Sequence, residues 1–186
     1  MGLWIFLAVV VLLLVYAVGV YNRLVRLRAL VHEGFSGITV QLRRRADLVP
    51  NLVETVKRYA THERETLDQV TAHRTDAMNA GSVAATAQAD NAMTAMLGRL
   101  FAVAEAYPEL KADANFRELQ GELSSLETEL QSARRYYNAT ARDLNTRIFS
   151  FPDMLFATPM GFKEEPYYED ADPAIQSAPK VEFQRP

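Results

Sequence analysis

The sequence predicts an all-α protein, with an N-terminal transmembrane helix continuous with an antiparallel helical bundle of about four long helices. Three observations carry this. Leu3 to Tyr21 holds no charged residue and is about the length a helix needs to cross a bilayer. The later segments repeat apolar residues at steps of three and four, the signature of amphipathic helices. Strand-type alternation is confined to short runs.

The apolar stretch comes first. A cleaved signal peptide wants a positive leader and a small-x-small cleavage site, whereas Met1-Gly2 runs straight into Leu3 and the stretch closes on Val18-Gly19-Val20-Tyr21-Asn22. It therefore reads as a retained anchor over residues 1–22. Trp4 at one end and Tyr16 and Tyr21 at the other suit the two membrane interfaces. Arg23, Arg26 and Arg28 follow the stretch directly and no Lys or Arg precedes it. By the positive-inside rule the N-terminus lies outside and the bundle in the cytoplasm.

Beyond the anchor, Leu24, Leu27, Val31, Phe35, Ile38 and Leu42 extend one apolar stripe, so anchor and first bundle helix read as one rod to about Arg45. Gly34 and Gly37 are its weak point, each costing up to about 1 kcal/mol in a helix interior. They serve either the close approach of a neighbouring helix or a hinge, the first being the plainer reading. Pro50 has no amide donor and disfavours helical geometry at Val49, which predicts a helix end or bend there. Asp47 or a neighbour then caps a second helix with Pro50 in its first turn. Leu52, Val56, Leu67, Val70 and Ala77 share one face of that helix, which should close near Met78 before the turn signal Asn79-Ala80-Gly81-Ser82.

Ser82 is the expected N-cap of a third helix, Val83 to about Tyr107, stopped by Pro108. A fourth begins between Asp113 and Asn115, with Asn115 and Glu118 at capping-box spacing. Phe116, Leu119, Leu123, Leu126, Leu130, Ala133, Tyr137, Leu144 and Ile148 make this the strongest amphipathic pattern in the chain. Phe149-Ser150-Phe151-Pro152 breaks it, and Met154, Leu155, Phe156 and Phe162 are expected to pack back on the bundle. That places the bundle at residues 23–162. Residues 163–186, acidic and rich in proline, are expected to bury little and remain disordered.

The 186-residue chain carries a net charge of -3 and a pI near 5.7, which argues against a nucleic-acid binder. It has no cysteine, so disulfides, thiolate metal sites and an acyl-cysteine anchor are excluded. No catalytic constellation is legible. His62 and His73 are two isolated histidines on helical sequence, and His62-Glu63-Arg64-Glu65-Thr66 lacks the second histidine of a zinc-protease helix. No catalytic residue, cofactor or metal is therefore assigned. Arg43-Arg44-Arg45 lies too far from the membrane for headgroup contact if the rod is straight, and is expected to pair with Asp47, Glu54 or acids of the fourth helix.

The anchor followed by Tyr21-Asn22-Arg23-Leu24-Val25, the block VQLRRRADLVPNLVETVKRYATHE, Arg135-Tyr136-Tyr137-Asn138 and the ending FPDMLFA with a later Phe162 resemble the LemA family of bacterial membrane proteins. The resemblance spans nearly the whole chain through about Phe162. Gly34-Phe35 departs from it, since relatives commonly have alanine and tryptophan there. The resemblance implies a single-pass, N-out protein of the bacterial inner membrane with an antiparallel bundle, and carries no catalytic residues with it. Its blocks single out Arg44, Asp47, Pro50, Asn51, Glu54, Arg135, Tyr137 and Asn138 as candidate interaction or structural positions. The expected role is a membrane-anchored scaffold or adaptor. Its expected partners are the lipid bilayer, other membrane proteins and a second copy of the chain. A membrane-organising oligomer is the alternative, with a metal-dependent enzyme ranked last.

Overall fold

The computed structural model describes residues 1–60 and 62–169, and among these the fold is helical with no strand. Six helices follow in order: α1 (Gly2–Tyr59), α2 (Arg64–Asn79), α3 (Val83–Glu105), α4 (Pro108–Ala112), α5 (Ala114–Phe149) and α6 (Met154–Ala157). The first, at 58 residues, is about 87 Å long at 1.5 Å per residue. Its N-terminal part is the one segment among the described residues apolar and long enough to cross a membrane. The same helix forms one wall of the bundle, as the unbroken stripe from Leu24 to Leu42 predicts.

The expected helix end at Pro50 is not observed: α1 runs through it. Asp47 accordingly caps nothing; it is exposed and stands 3.8 Å from Arg74 Nη2. A proline inside a helix leaves the carbonyl four residues earlier without its amide partner, a loss of about 3 kcal/mol when uncompensated. Here that carbonyl belongs to Ala46, and Arg74 Nε of α2 donates to it at 2.8 Å. Pro50 itself points to solvent, while Val49, Leu52 and Val56 are buried on the opposite side. Burial of that face and the guanidinium together hold the helix. Replacing Arg74 with methionine is expected to cost about 1–3 kcal/mol, since a charged donor is withdrawn from a backbone acceptor. Pro50→Ala, which restores the amide, should recover most of that loss; thermal unfolding of the two single variants and the double variant checks it.

α2 returns alongside the upper part of α1 and α3 climbs again. Ser82 caps α3 as predicted, its Oγ accepting from Ala85 N–H at 3.2 Å. Pro108 opens a short helix of its own instead of merely stopping α3. The N-cap of α5 is Asp113, not Asn115: its Oδ1 accepts from Phe116 N–H at 3.0 Å and its Oδ2 from Tyr59 Oη at 2.9 Å. The Phe116 amide and then the Tyr59 hydroxyl hold the Asp113 carboxyl below the usual carboxylate range. α5 then descends antiparallel to α1 along most of the bundle's length. Gly34 marks their closest approach, where a Cβ would stand 3.0 Å from Tyr137 Cα; Gly37 faces open space. The close-approach role thus belongs to Gly34 alone, and α1 is unbroken at both positions.

Two apolar cores stack along the bundle. The lower holds Val20, Leu24, Val31, Ile38, Leu42, Ala87, Leu130, Tyr137, Leu144 and Ile148. The upper holds Val49, Leu52, Val56, Leu67, Val70, Met93, Leu97, Leu100, Leu110, Phe116 and Leu123. Below α2 and α3, the two long helices are covered by chain beyond α6. Phe162 is buried, edge-on to Tyr21 at 5.8 Å and beneath Arg28 at 5.2 Å. The expectation that burial ends at Lys163 fails through Glu169, because Tyr168 is 5% exposed and belongs to the lower core. The remainder of the expected tail, 170–186, lies outside the described residues.

Candidate interaction surface

Between the two cores lies a layer of charge. Each long helix contributes a polar residue at the step between its lower-core and upper-core positions: Arg45 on α1, Asp90 on α3 and Glu127 on α5. Asp90 is 1% exposed. Its Oδ1 accepts from Arg45 Nη1 at 3.1 Å, its Oδ2 accepts from Tyr168 Oη at 2.8 Å, and Arg134 also donates to Oδ2. Arg45 Nη1 reaches Thr94 Oγ1 at 3.0 Å and Glu127 Oε2 at 3.3 Å, while Arg134 lies 3.7 Å from Glu127 and 5.5 Å over the Tyr168 ring. Two cations face two anions, so the layer is neutral, as buried charge requires. Burial pulls the Arg134 guanidinium down, but Asp90 more than offsets this and its pKa is raised. The layer joins α1, α3, α5 and the C-terminal segment in one register.

That C-terminal segment is held to α5 by a pair of amide clasps. Asn145 donates through Nδ2 to Glu165 O at 2.8 Å and accepts from Glu165 N–H through Oδ1 at 2.9 Å. Two turns higher, Asn138 repeats this with Tyr168, at 3.0 Å and 2.8 Å. Tyr137 Oη donates to Pro166 O at 2.7 Å. Asparagine suits the task because its amide offers a donor and an acceptor together, as a strand edge would.

Burial, and then the nearby Glu165 charge, push the Tyr137 phenol up to about 12. Burial, and then Asp90, raise the Tyr168 phenol as well. A raised acid is protonated in the fold, so its contribution is fully present below the unfolded value of about 10 and is lost as pH rises through the folded one. The detergent-solubilised protein is therefore expected to lose stability between pH 10 and about 12. Phenolate absorbance should rise together with the loss of helical circular dichroism, and Tyr137→Phe should weaken the dependence.

Seven of the eight positions singled out by sequence fall into two groups that the fold keeps apart, and Arg135 joins neither. Tyr137 and Asn138 belong to the clasp. Arg135 sits outside it, exposed, donating to Ser132 Oγ at 2.9 Å. Arg44, Asp47, Asn51 and Glu54, with Arg58, follow steps of three and four along α1, and with Pro50 they lie on its exposed side, opposite Leu42, Val49, Leu52 and Val56. Arg44 stands 3.7 Å from Glu129 and Arg58 donates to Glu54 at 3.1 Å, both well exposed. Such pairs contribute little to stability. Asn51, Glu54 and Arg58 line an open cleft of about 360 Å³ with Asn115, Glu118 and Glu122 of α5. The expectation that Arg43-Arg44-Arg45 pairs with acids of the fourth helix holds for Arg44 with Glu129 and Arg45 with Glu127, while Asp90 and Asn145 were missed. The available signal was a charged residue on an apolar stripe at equivalent steps of three helices.

Neither histidine gathers ligands. His62 is exposed and His73 lies 3.7 Å from Asp76 alone, and no cluster of metal-ligating side chains forms among the described residues.

A single long apolar helix that continues as the wall of an antiparallel bundle, with the C-terminal segment clasped along it, defines the class of protein. The chain belongs to the LemA family, whose sequence model matches residues 34–183. It is similar to magnetosome protein MamQ 2 of Paramagnetospirillum magneticum, 25% identical over 81% of this chain and 65% of that protein. It is also similar to protein LemA of Metamycoplasma hominis, 27% identical over 72% of this chain and 62% of that one. The chain thus spans slightly less than two thirds of the length of these relatives.

Proposed function

We infer that the protein is a membrane-anchored scaffold or adaptor of the bacterial inner membrane, acting through contacts with other membrane proteins and through self-association. The observation that supports this most is the continuity of α1. One helix carries the apolar stretch and, about 35–50 Å beyond Tyr21 at 1.5 Å per residue, the exposed ridge from Arg44 to Glu54. A stiff support fixes the height at which such a ridge meets a partner and lowers the ordering cost of binding. Orientation follows the arginines after the stretch, with the N-terminus outside and the bundle cytoplasmic. A C-terminal alkaline phosphatase fusion that is active in intact cells would reverse it.

Crosslinking in native membranes followed by mass spectrometry tests the role. Heterologous partners captured by the intact chain and lost from an Asn51→Lys, Glu54→Lys variant support the adaptor. Self-crosslinks alone favour a membrane-organising oligomer, a second reading supported by the apolar side chains exposed beside the anchor. The absence of both kinds of crosslink counts against scaffold and oligomer alike.

A further inference from the structure

The lower end of the bundle carries groups that neither the ridge nor the buried layer uses. Where α5 ends and the chain turns into α6, four large apolar side chains stand in the open: Phe149 is 62% exposed, Phe151 78%, Met154 45% and Leu155 59%. The expectation that Met154 and Leu155 pack on the bundle is therefore corrected; only Phe156 and Phe162 turn inward. Polar atoms of the same turn point the other way. Asp153 is 1% exposed, accepts from Tyr16 Oη at 2.6 Å and is paired with Arg147. Apolar groups outward and a compensated charge inward is the arrangement a hydrocarbon surface selects.

The height of this turn is set by α1. Tyr16, which holds Asp153 and packs against Phe156 at 5.7 Å, lies inside the uncharged stretch ending at Tyr21. The exposed apolar side chains are thus level with the last turn and a half of that stretch, about 8 Å of helix, comparable to the depth at which interfacial segments settle. Beside them a cleft of about 920 Å³ opens between α1 and Arg147, walled by Val15, Gly19 and Val20 below and by Arg23 and Arg26 above. Arg147 is occupied by Asp153. Among the described residues no ion pair engages Arg23 or Arg26.

We propose that this end of the bundle is a lipid seat, with the 149–155 turn lying in the bilayer interface and the cleft holding the phosphate of an anionic phospholipid against Arg23 and Arg26. It rests on α1 spanning the membrane. The apolar wall of the cleft continues into the exposed band of α1 formed by Val11, Leu12, Val15 and Val18. A lipid whose acyl chains follow that band and whose headgroup meets the arginines therefore fits both halves. Basic residues near an anionic surface strengthen such attraction, and the seat would hold the bundle upright against the bilayer.

The cysteine-free chain allows a direct test in nanodiscs of phosphatidylglycerol and phosphatidylcholine. A polarity-sensitive fluorophore is placed at Phe151→Cys or at Val40→Cys, an exposed control about 28 Å beyond Tyr21 along α1. The probe at 151 should be quenched by spin-labelled lipid and several-fold protected from aqueous iodide, and the probe at 40 the reverse. Spin-labelled phosphatidylglycerol should associate several-fold more than phosphatidylcholine with the unaltered protein, and equally with Arg23→Gln, Arg26→Gln. The sole tryptophan, Trp4, reports the anchor independently through its own quenching by lipid. If Trp4 is quenched while positions 151 and 40 respond alike to iodide, or while the arginine variant keeps its lipid preference, the seat is overturned and the anchor stands. An unquenched Trp4 overturns both.

Discussion

Asp90→Ala is expected to destabilise the protein by about 3–5 kcal/mol, the cost of leaving a buried cation without its partner. Arg45 and Arg134 both converge on this carboxylate, whose side chain is wholly buried, while their own side chains are 8% and 12% exposed. The loss is not a measure of what the ionic layer adds. If Asp90→Leu is combined with Arg45→Met and Arg134→Met, much of the stability should return, because well-packed apolar groups often match or exceed a buried ion pair. Thermal unfolding in detergent, followed by circular dichroism, separates the two cases. A single Asp90→Ala variant within about 0.5 kcal/mol of the parent, the range of ordinary surface substitutions, would show that the layer is hydrated and not buried.

Ending the chain after Lys163 is the second large effect, expected to cost about 2–4 kcal/mol. Six hydrogen bonds go with it: both pairs at the asparagines, Tyr137 to Pro166, and Tyr168 to Asp90. Each contributes on the order of 1 kcal/mol net, with more lost wherever the remaining buried partner stays unpaired. The freedom regained by the released segment offsets part of the sum. Truncation after Glu169 keeps all six bonds and is expected to unfold at a higher temperature than truncation after Lys163. The pair of truncations assigns the effect to residues 164–169, and equal stability of the two would refute the clasp. In a crosslinking experiment the shorter truncation therefore changes the bundle itself as well as removing a tail.

The helical architecture was legible because its determinants are local. The Leu24-to-Leu42 stripe and the rhythm of α5 from Phe116 to Ile148 state which face is buried without reference to any partner helix. The Ser82 cap needs only the three residues after it, and the uncharged stretch needs only its length. Errors arose where a local signal had a distant answer. Pro50 reads as a helix end because the unpaired Ala46 carbonyl is visible in sequence, while its partner Arg74 comes from another helix. Asn115 and Glu118 have the right spacing for a cap, yet Asp113 wins because Tyr59 also binds its carboxylate. The segment after Lys163 looks unable to bury anything because its composition is polar and proline-rich, but a strap held by side-chain amides needs only one buried ring, Tyr168.

The sequence by itself determined that this chain is an uncharged helix extended into an amphipathic bundle, and it placed the family-specific blocks on that bundle. Only the tertiary structure decided what those blocks do: Tyr137 and Asn138 hold the C-terminal strap, while Arg44, Asp47, Pro50, Asn51 and Glu54 remain on an open ridge. It also brought together Arg45, Asp90 and Tyr168, and turned Phe149, Phe151, Met154 and Leu155 outward beside the anchor. The physical reason is range. Periodicity and capping are written within one or two helical turns, whereas a buried charge, an orphaned carbonyl or an exposed apolar turn is defined by what the folded chain sets against it.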